Sequence, residues 1–163
     1  MAELPYECII VGAGPAGLGA GLYAARDRHK TILLEKFYPG GQINTTDRIE
    51  NYPGFMKISG ADLIMKMMEQ VQAFDGQIKN STEVTGLSRR KDGLIEVHTD
   101  EDIYLGRVVI LTPGSSYRKL GVPGEERFRQ AGAGVSYCGT CDGPFFKGKT
   151  VLSVGGGNTA ADA

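Results

Sequence analysis

Cys8-Ile9-Ile10-Val11-Gly12-Ala13-Gly14-Pro15-Ala16-Gly17, followed by Thr31-Ile32-Leu33-Leu34-Glu35, is the stretch that decides the fold. Its opening apolar run, Cys8 to Val11, reads as a strand buried in a parallel sheet, and it feeds directly into a glycine-rich turn. In such a turn Gly12 permits the tight bend, Gly14 lets the backbone approach a pyrophosphate, and Gly17 allows helix and strand to pack closely. N–H groups at the start of the next helix, around Pro15 and Ala16, then face the phosphates, and the helix dipole adds to the attraction. The second strand ends in Glu35, which lies 18 residues after Gly17 and can accept a hydrogen bond from a ribose hydroxyl. An acid there argues against a 2′-phosphate. A glycine turn alone is weak evidence. Strand, glycines, helix and terminal acid in the right order point to a dinucleotide-binding, Rossmann-like fold.

A second turn of the same kind stands near the other end. Thr150-Val151-Leu152-Ser153-Val154 reads as a strand, and Gly155-Gly156-Gly157-Asn158-Thr159-Ala160 follows it, with Ala160 in the third small-residue position. The chain stops at Ala163, so a helix opening near Asn158 has too few residues left to cover its strand. The expectation is an N-terminal part of something longer, with negligible nicotinamide binding on its own.

Between the two turns lies Val135-Ser136-Tyr137-Cys138-Gly139-Thr140-Cys141-Asp142-Gly143-Pro144. Thiols two residues apart can cycle between dithiol and disulfide with little backbone movement, and Asp142 follows as a proton donor for a leaving thiolate. Thiolates attack, so the pair needs a lowered pKa, which a helix developing after Cys138 would favour through its dipole. Zinc is the competing reading. It needs four ligands, and Cys8, His29, His98 and scattered carboxylates form no second close pair, so no metal is expected. Cys8, inside the first strand, reads as a buried inert thiol.

The remaining pattern suits a parallel sheet with a small antiparallel addition. A helix over about 15–27 precedes the Glu35 strand, and a long loop from Lys36 to about Lys57 is expected to have a function. Ser59, with Asp62 three residues on, opens a helix whose apolar residues Leu63, Ile64, Met67, Met68, Val71 and Phe74 recur at helical spacing. Strands are expected at Gln77–Lys79, Glu83–Leu87, Leu94–His98 and Arg107–Leu111, the last returning to the parallel sheet. His98 reads as exposed and His29 as part of a basic turn.

Taken together, Gly12 to Gly17, Gly40-Gly41-Gln42-Ile43-Asn44-Thr45-Thr46 with Glu50-Asn51-Tyr52-Pro53-Gly54, Cys138 to Pro144, and Gly155 to Ala160 resemble the low-molecular-weight, flavin-dependent thioredoxin reductases. The resemblance implies that residues 1–117 are the N-terminal part of an FAD-binding domain. Residues 118–163 would be a hinge and the truncated start of an NAD(P)-binding domain carrying the redox pair. It implies FAD contacts from Gly12, Gly14, Pro15, Ala16, Glu35, Gly41, Gln42, Thr46, Asn51, Val84 and Gly114. Contacts to NADPH or NADH would come from Gly155, Gly157, Asn158 and Thr159, with Cys138, Cys141 and Asp142 catalytic. Cys141 is implied to neighbour the flavin, and Cys138 to be more remote. Electrons would pass from the nicotinamide through FAD and the disulfide to thioredoxin or a similar small disulfide protein, in a homodimer. Related enzymes carry Ala-Thr-Gly where this chain has Thr112-Pro113-Gly114, and Pro113 lacks the N–H that a flavin contact there would use. Leu120-Gly121-Val122-Pro123-Gly124 resembles the family's interdomain linker.

Composition agrees with a globular protein. With 163 residues, 41% of them apolar, the chain can build a core. A net charge of −1 and a pI near 6.1 give no reason to expect nucleic acid or an anionic membrane. The start Met1-Ala2-Glu3-Leu4-Pro5 has no signal-peptide pattern, and no apolar run approaches the roughly 20 residues of a membrane helix. The expected compartment is the cytoplasm, where three cysteines argue against a structural disulfide framework. Two alternatives stay open: a flavin-binding fragment without turnover, and a related flavin disulfide reductase with another donor or acceptor.

Overall fold

A computed structural model describes residues 4–157 and 160, with the side chains of residues 140, 141 and 144 excepted. The chain divides into two compact units, Met1–Gly114 and Ser115–Ala163.

In the first unit β1 (Tyr6–Val11), α1 (Pro15–Arg26), β2 (Thr31–Leu34), α2 (Gly60–Gln72), β3 (Gln77–Lys79), β4 (Val84–Arg89), β5 (Ile95–Thr99) and β6 (Ile103–Leu111) follow in sequence. The sheet order is β3-β2-β1-β6-β5-β4. β1 pairs in parallel with β2 and with β6, and β2 pairs in parallel with β3. The β4-β5 and β5-β6 pairs are antiparallel. This is the mixed α/β, Rossmann-like sheet with an antiparallel addition that the apolar runs foretold.

The two faces of the sheet bury different residues, as the period of two requires. Cys8, Ile10 and Leu33 pack with Leu18 of α1 and with Ile64 and Val71 of α2. Ile9, Ile32 and Leu34 pack on the other side with Val97 and the half-buried Val84 and Tyr104. The antiparallel strands therefore fold back over one face while the helices cover the other. Gly106 makes the bend possible, because a Cβ there would stand 2.7 Å from Ile9 Cδ1. Leu18, Leu33 and Val71 are fully buried, and each stabilises the unit by roughly 1.5–3 kcal/mol relative to exposure.

α2 opens as expected. Ser59 is its N-cap, and its Oγ accepts the Asp62 N–H at 3.1 Å. The Asp62 carboxylate takes the Ser59 hydroxyl at 2.7 Å, a shorter reach than the backbone contact a glutamate would make. Leu63, Ile64 and Val71 are buried, but the helix ends at Gln72 and Phe74 is 44% exposed. Asp75, with φ +62°, turns the chain away there.

β6 begins four residues earlier than its apolar core suggests, because Ile103 to Gly106 pair with β5. The segment 36–57 is more than a solvated connection. It contains a 3-10 turn at Gly41–Thr45, and Ile49 and Ile58 exchange backbone hydrogen bonds of 2.8 and 3.0 Å. Ile49, Ile58 and Leu63 form a small core with Ile43, Phe55 and Met67.

The second unit has α3 (Glu125–Gln130), the single turn α4 (Gly139–Asp142) and a 3-10 turn at Gly143–Phe146. At 150–154, where a strand was expected, no regular element forms and no partner strand lies beside it among the described residues, and Leu152 is 88% exposed. A parallel strand draws its hydrogen bonds from neighbours, and none stands beside this segment among the described residues.

Candidate functional site

The carboxyl ends of β1, β2 and β6 lie side by side, because the three strands run parallel and in register from Val11 to Leu34 and Leu111. The turns leaving them meet there. Gly12 takes φ +98° and donates its N–H to Leu34 O at 2.8 Å. A Cβ on Gly12 would stand 2.2 Å from Thr112 O, and one on Gly17 would stand 1.9 Å from Gly12 O. Both glycines are demanded by the fold itself.

Gly14 differs. Its φ of −72° and ψ of −177° suit any residue, and a Cβ there meets nothing within 4 Å. The space in front of Gly14 is open, and as N-cap of α1 it supplies no side-chain acceptor to the first-turn N–H groups. Pro15 occupies the first turn of α1 and Ala16 is exposed beside it. A dinucleotide's pyrophosphate fits this arrangement, since it needs free amides and close backbone approach.

Ala13 is the hub of the turn. Its N–H donates to Glu35 Oε2 at 2.8 Å, and its carbonyl accepts the Gly40 N–H at 2.8 Å. Glu35 Oε1 also accepts the Phe37 N–H at 3.1 Å. Glu35 thus sits where the acid was expected, with one lone pair of each oxygen already engaged by backbone and others left for a hydroxyl. Gly40, with φ +117°, leads into Gly41, whose φ is +58° and whose Cβ direction is open. Gln42 lies in the exposed 3-10 turn, and the Thr46 carbonyl takes the Gly60 N–H at 2.8 Å. Asn51 is exposed on the following loop. Val84 starts β4 and is half-buried against the second core face. Gly114, with φ +70°, follows Pro113 past the end of β6.

In the second unit Cys138 is disulfide-bonded, whereas Cys8 is a free thiol whose pKa burial pushes up. Ser136 Oγ accepts the Cys138 N–H at 3.0 Å and donates to Asp142 Oδ2 at 2.5 Å, while the Asp142 N–H donates to Cys138 O at 3.0 Å. The carboxylate is therefore wired to the backbone of Cys138 through one hydroxyl. α4 is one turn long, so few peptide dipoles align behind the thiol. The side chain of Cys141 lies outside the described residues. Gly155 takes φ +117°, and Gly155 and Gly157 both have open Cβ directions. Asn158 and Thr159 lie outside the described residues.

A family model described as "Pyridine nucleotide-disulphide oxidoreductase" matches residues 6–163. The chain belongs to that family. A thioredoxin reductase of Treponema pallidum is 45% identical to this oxidoreductase chain over 161 residues, covering 98% of the chain and 51% of the relative. A thioredoxin reductase of Bacillus subtilis is 41% identical, covering 98% and 49% respectively. A crystal structure of thioredoxin reductase from Streptococcus pyogenes superposes with a TM-score of 0.74 at 43% identity, over 86% of this chain and 45% of that one. The chain spans about half the length of the curated relatives it matches.

Three parts of the candidate site escaped the sequence reading. Thr112 Oγ1 lies 3.0 Å from Val11 O and 2.9 Å from Gly12 O, so its hydroxyl seals β6 to the glycine turn. The signal was its place at the end of an apolar run facing a glycine turn. Gly40 was legible as one of a glycine pair, but its tie to Ala13 was not. Ser136, two residues before Cys138, makes the short-range hydroxyl turn that serine favours. His98, expected exposed, is half-buried, with Nε2 2.9 Å from Ser88 Oγ. His29 lies beside Asp27 and Glu7 at 3.2 and 3.7 Å in its surface turn. Among the described residues no three His, Cys, Asp or Glu side chains gather to hold a metal, and no helix is long and apolar enough to cross a membrane.

Proposed function

We propose that the protein is a thioredoxin-disulfide reductase, drawing electrons from NADPH or NADH and delivering them to a disulfide on thioredoxin or a similar small protein. The observation that carries this reading is the disulfide at Cys138, with Asp142 tied to its backbone through Ser136. Residues 1–117 would be the N-terminal part of the FAD-binding domain, and 118–163 the hinge and start of the NAD(P)-binding domain. The enzyme would work as a homodimer in the cytoplasm.

Gly12, Gly14, Pro15 and Ala16 would cradle the FAD pyrophosphate, and Glu35 would take a ribose hydroxyl on its unused lone pairs. Gly41, Gln42, Thr46, Asn51, Val84 and Gly114 would line the rest of the cofactor. Gly155, Gly157, Asn158 and Thr159 would approach the nicotinamide dinucleotide. When bound, FAD supplies the two-electron carrier between the nicotinamide and the disulfide.

The rest of the chemistry belongs to the thiols. One thiolate of the reduced pair attacks a sulfur of the partner's disulfide, forming a mixed disulfide and expelling the partner's other sulfur as a thiolate that takes a proton. The second cysteine then attacks the mixed disulfide, re-forming the Cys138–Cys141 bond and releasing the partner with two electrons and two protons gained. Asp142 holds and moves the proton at the leaving sulfur. Asp142→Asn keeps the hydrogen-bonding shape and should slow turnover, by at most the roughly 10²–10⁴-fold that general acid catalysis provides. An unchanged rate and pH profile in a thioredoxin assay would remove Asp142 from the chemistry.

The full-length enzyme tests the whole reading. Flavin absorbance reports the cofactor, and thioredoxin reduction with NADPH and with NADH reports the activity. Protein that takes up no FAD sinks the cofactor assignment. FAD-loaded protein that leaves thioredoxin oxidised with both donors points instead to a flavin disulfide reductase with another donor or acceptor.

A further inference from the structure

Glu125, the first residue of α3, is only 7% exposed, and a buried carboxylate is costly unless donors surround it. Its Oε1 accepts the Leu120 N–H at 2.9 Å and the Tyr137 hydroxyl, and its Oε2 accepts the Gly121 N–H at 2.7 Å. These donors hold the carboxyl below the usual carboxylate range, the Tyr137 hydroxyl first and the Leu120 N–H next. Protonation would then weaken the cluster only as pH falls through that lowered value. Tyr137 is fixed from its faces as well. Its ring stacks on Tyr117 at 5.4 Å between centroids and 12° between planes, and the Arg129 guanidinium lies 5.5 Å from its centroid.

The donors come from two places. Leu120 and Gly121 belong to the segment that leads into α3, and Tyr137 is bonded directly to Cys138. We propose that Glu125 is a positioning residue for the Cys138 disulfide, holding the Tyr137 hydroxyl and the 120–121 backbone on one carboxylate so that Cys138 is fixed relative to the segment entering this unit. Two thiols close to a disulfide in proportion to their effective concentration, and an anchor beside one of them raises it. Removing the anchor makes the disulfide easier to reduce. The inference rests on the proposed redox role of Cys138.

The test reads the disulfide itself and requires neither electron transfer from a nicotinamide nor a protein acceptor. Full-length enzyme is equilibrated with dithiothreitol over a range of ratios. Each dithiothreitol closes to its cyclic disulfide as the protein disulfide opens to two thiols, and alkylation with mass spectrometry counts the products. Tyr137→Phe keeps the stacked ring and removes the hydroxyl, and Glu125→Gln keeps the shape and removes the charge. The expected result is a reduction equilibrium shifted toward dithiol by about 3- to 10-fold in each variant. The double variant should shift no further than the larger single one, because both act through one contact. Equilibria within twofold of the parent, even with a lowered melting temperature, would make Glu125 merely structural and overturn the proposal. Shifts that add in the double variant would overturn it too. Should Glu125→Gln fail to fold, Tyr137→Phe alone decides. A shifted equilibrium in an enzyme that leaves thioredoxin oxidised would sink the proposed acceptor and leave the positioning role standing.

Discussion

Serine in place of either Cys138 or Cys141, in the full-length enzyme, is expected to cut thioredoxin reduction by about 10³-fold or more while nicotinamide still reduces the bound flavin. A hydroxyl cannot form the disulfide that stores the electron pair, and knocking out one member of a unit costs about as much as losing the unit. Neither substitution touches the glycine turns. The donor half of the reaction should therefore survive in a stopped-flow measurement of flavin absorbance. Parental rates of thioredoxin reduction in both variants would mean that the pair is structural. Loss of flavin reduction would mean that electrons enter by another order.

The second large effect separates two glycines three and six positions beyond the end of β1. Gly14→Val places its side chain in open space, at φ and ψ that valine accepts, and should cost the fold only about 1 kcal/mol as a poorer N-cap. It should nonetheless weaken FAD binding by at least about 100-fold, equivalent to about 2.7 kcal/mol, because the branched side chain fills the pyrophosphate's place. Gly17→Val drives a Cβ to 1.9 Å from Gly12 O and should destabilise the unit by about 3 kcal/mol or more. Flavin content and denaturant unfolding, measured side by side, distinguish the two. A Gly14→Val enzyme with normal flavin content would refute the site.

Much of this was legible because it depends on local chemistry. An apolar run before a glycine turn specifies a parallel strand, and the serine at position 59 specifies a helix start, whatever surrounds them. What stayed hidden depends on partners distant in sequence. Glu35 was read as a ribose acceptor from its spacing, but its contact with the Ala13 N–H needs the sheet register to be known. The extra length of β6 came from pairing with β5, to which its own apolar pattern is blind. The segment 150–154 reads as a strand by composition, yet a strand exists only where neighbours accept its hydrogen bonds. The Tyr117, Glu125 and Tyr137 cluster combines a linker, a helix start and the residue before Cys138, with no motif to announce it.

β1 meets β6 only through pairings such as Val11 with Leu111, which has a consequence for synthesis. At the roughly 5–20 residues per second of translation, the first strand waits about 5–20 seconds before its second neighbour has been made. During that interval one apolar edge of β1 is unpaired, the condition in which nascent chains associate wrongly or engage chaperones. The Thr112 hydroxyl that bridges Val11 and Gly12 across a separation of 101 and 100 residues is then also the last stitch of assembly. The glycine turn would reach its final shape only after the entire first unit has left the ribosome.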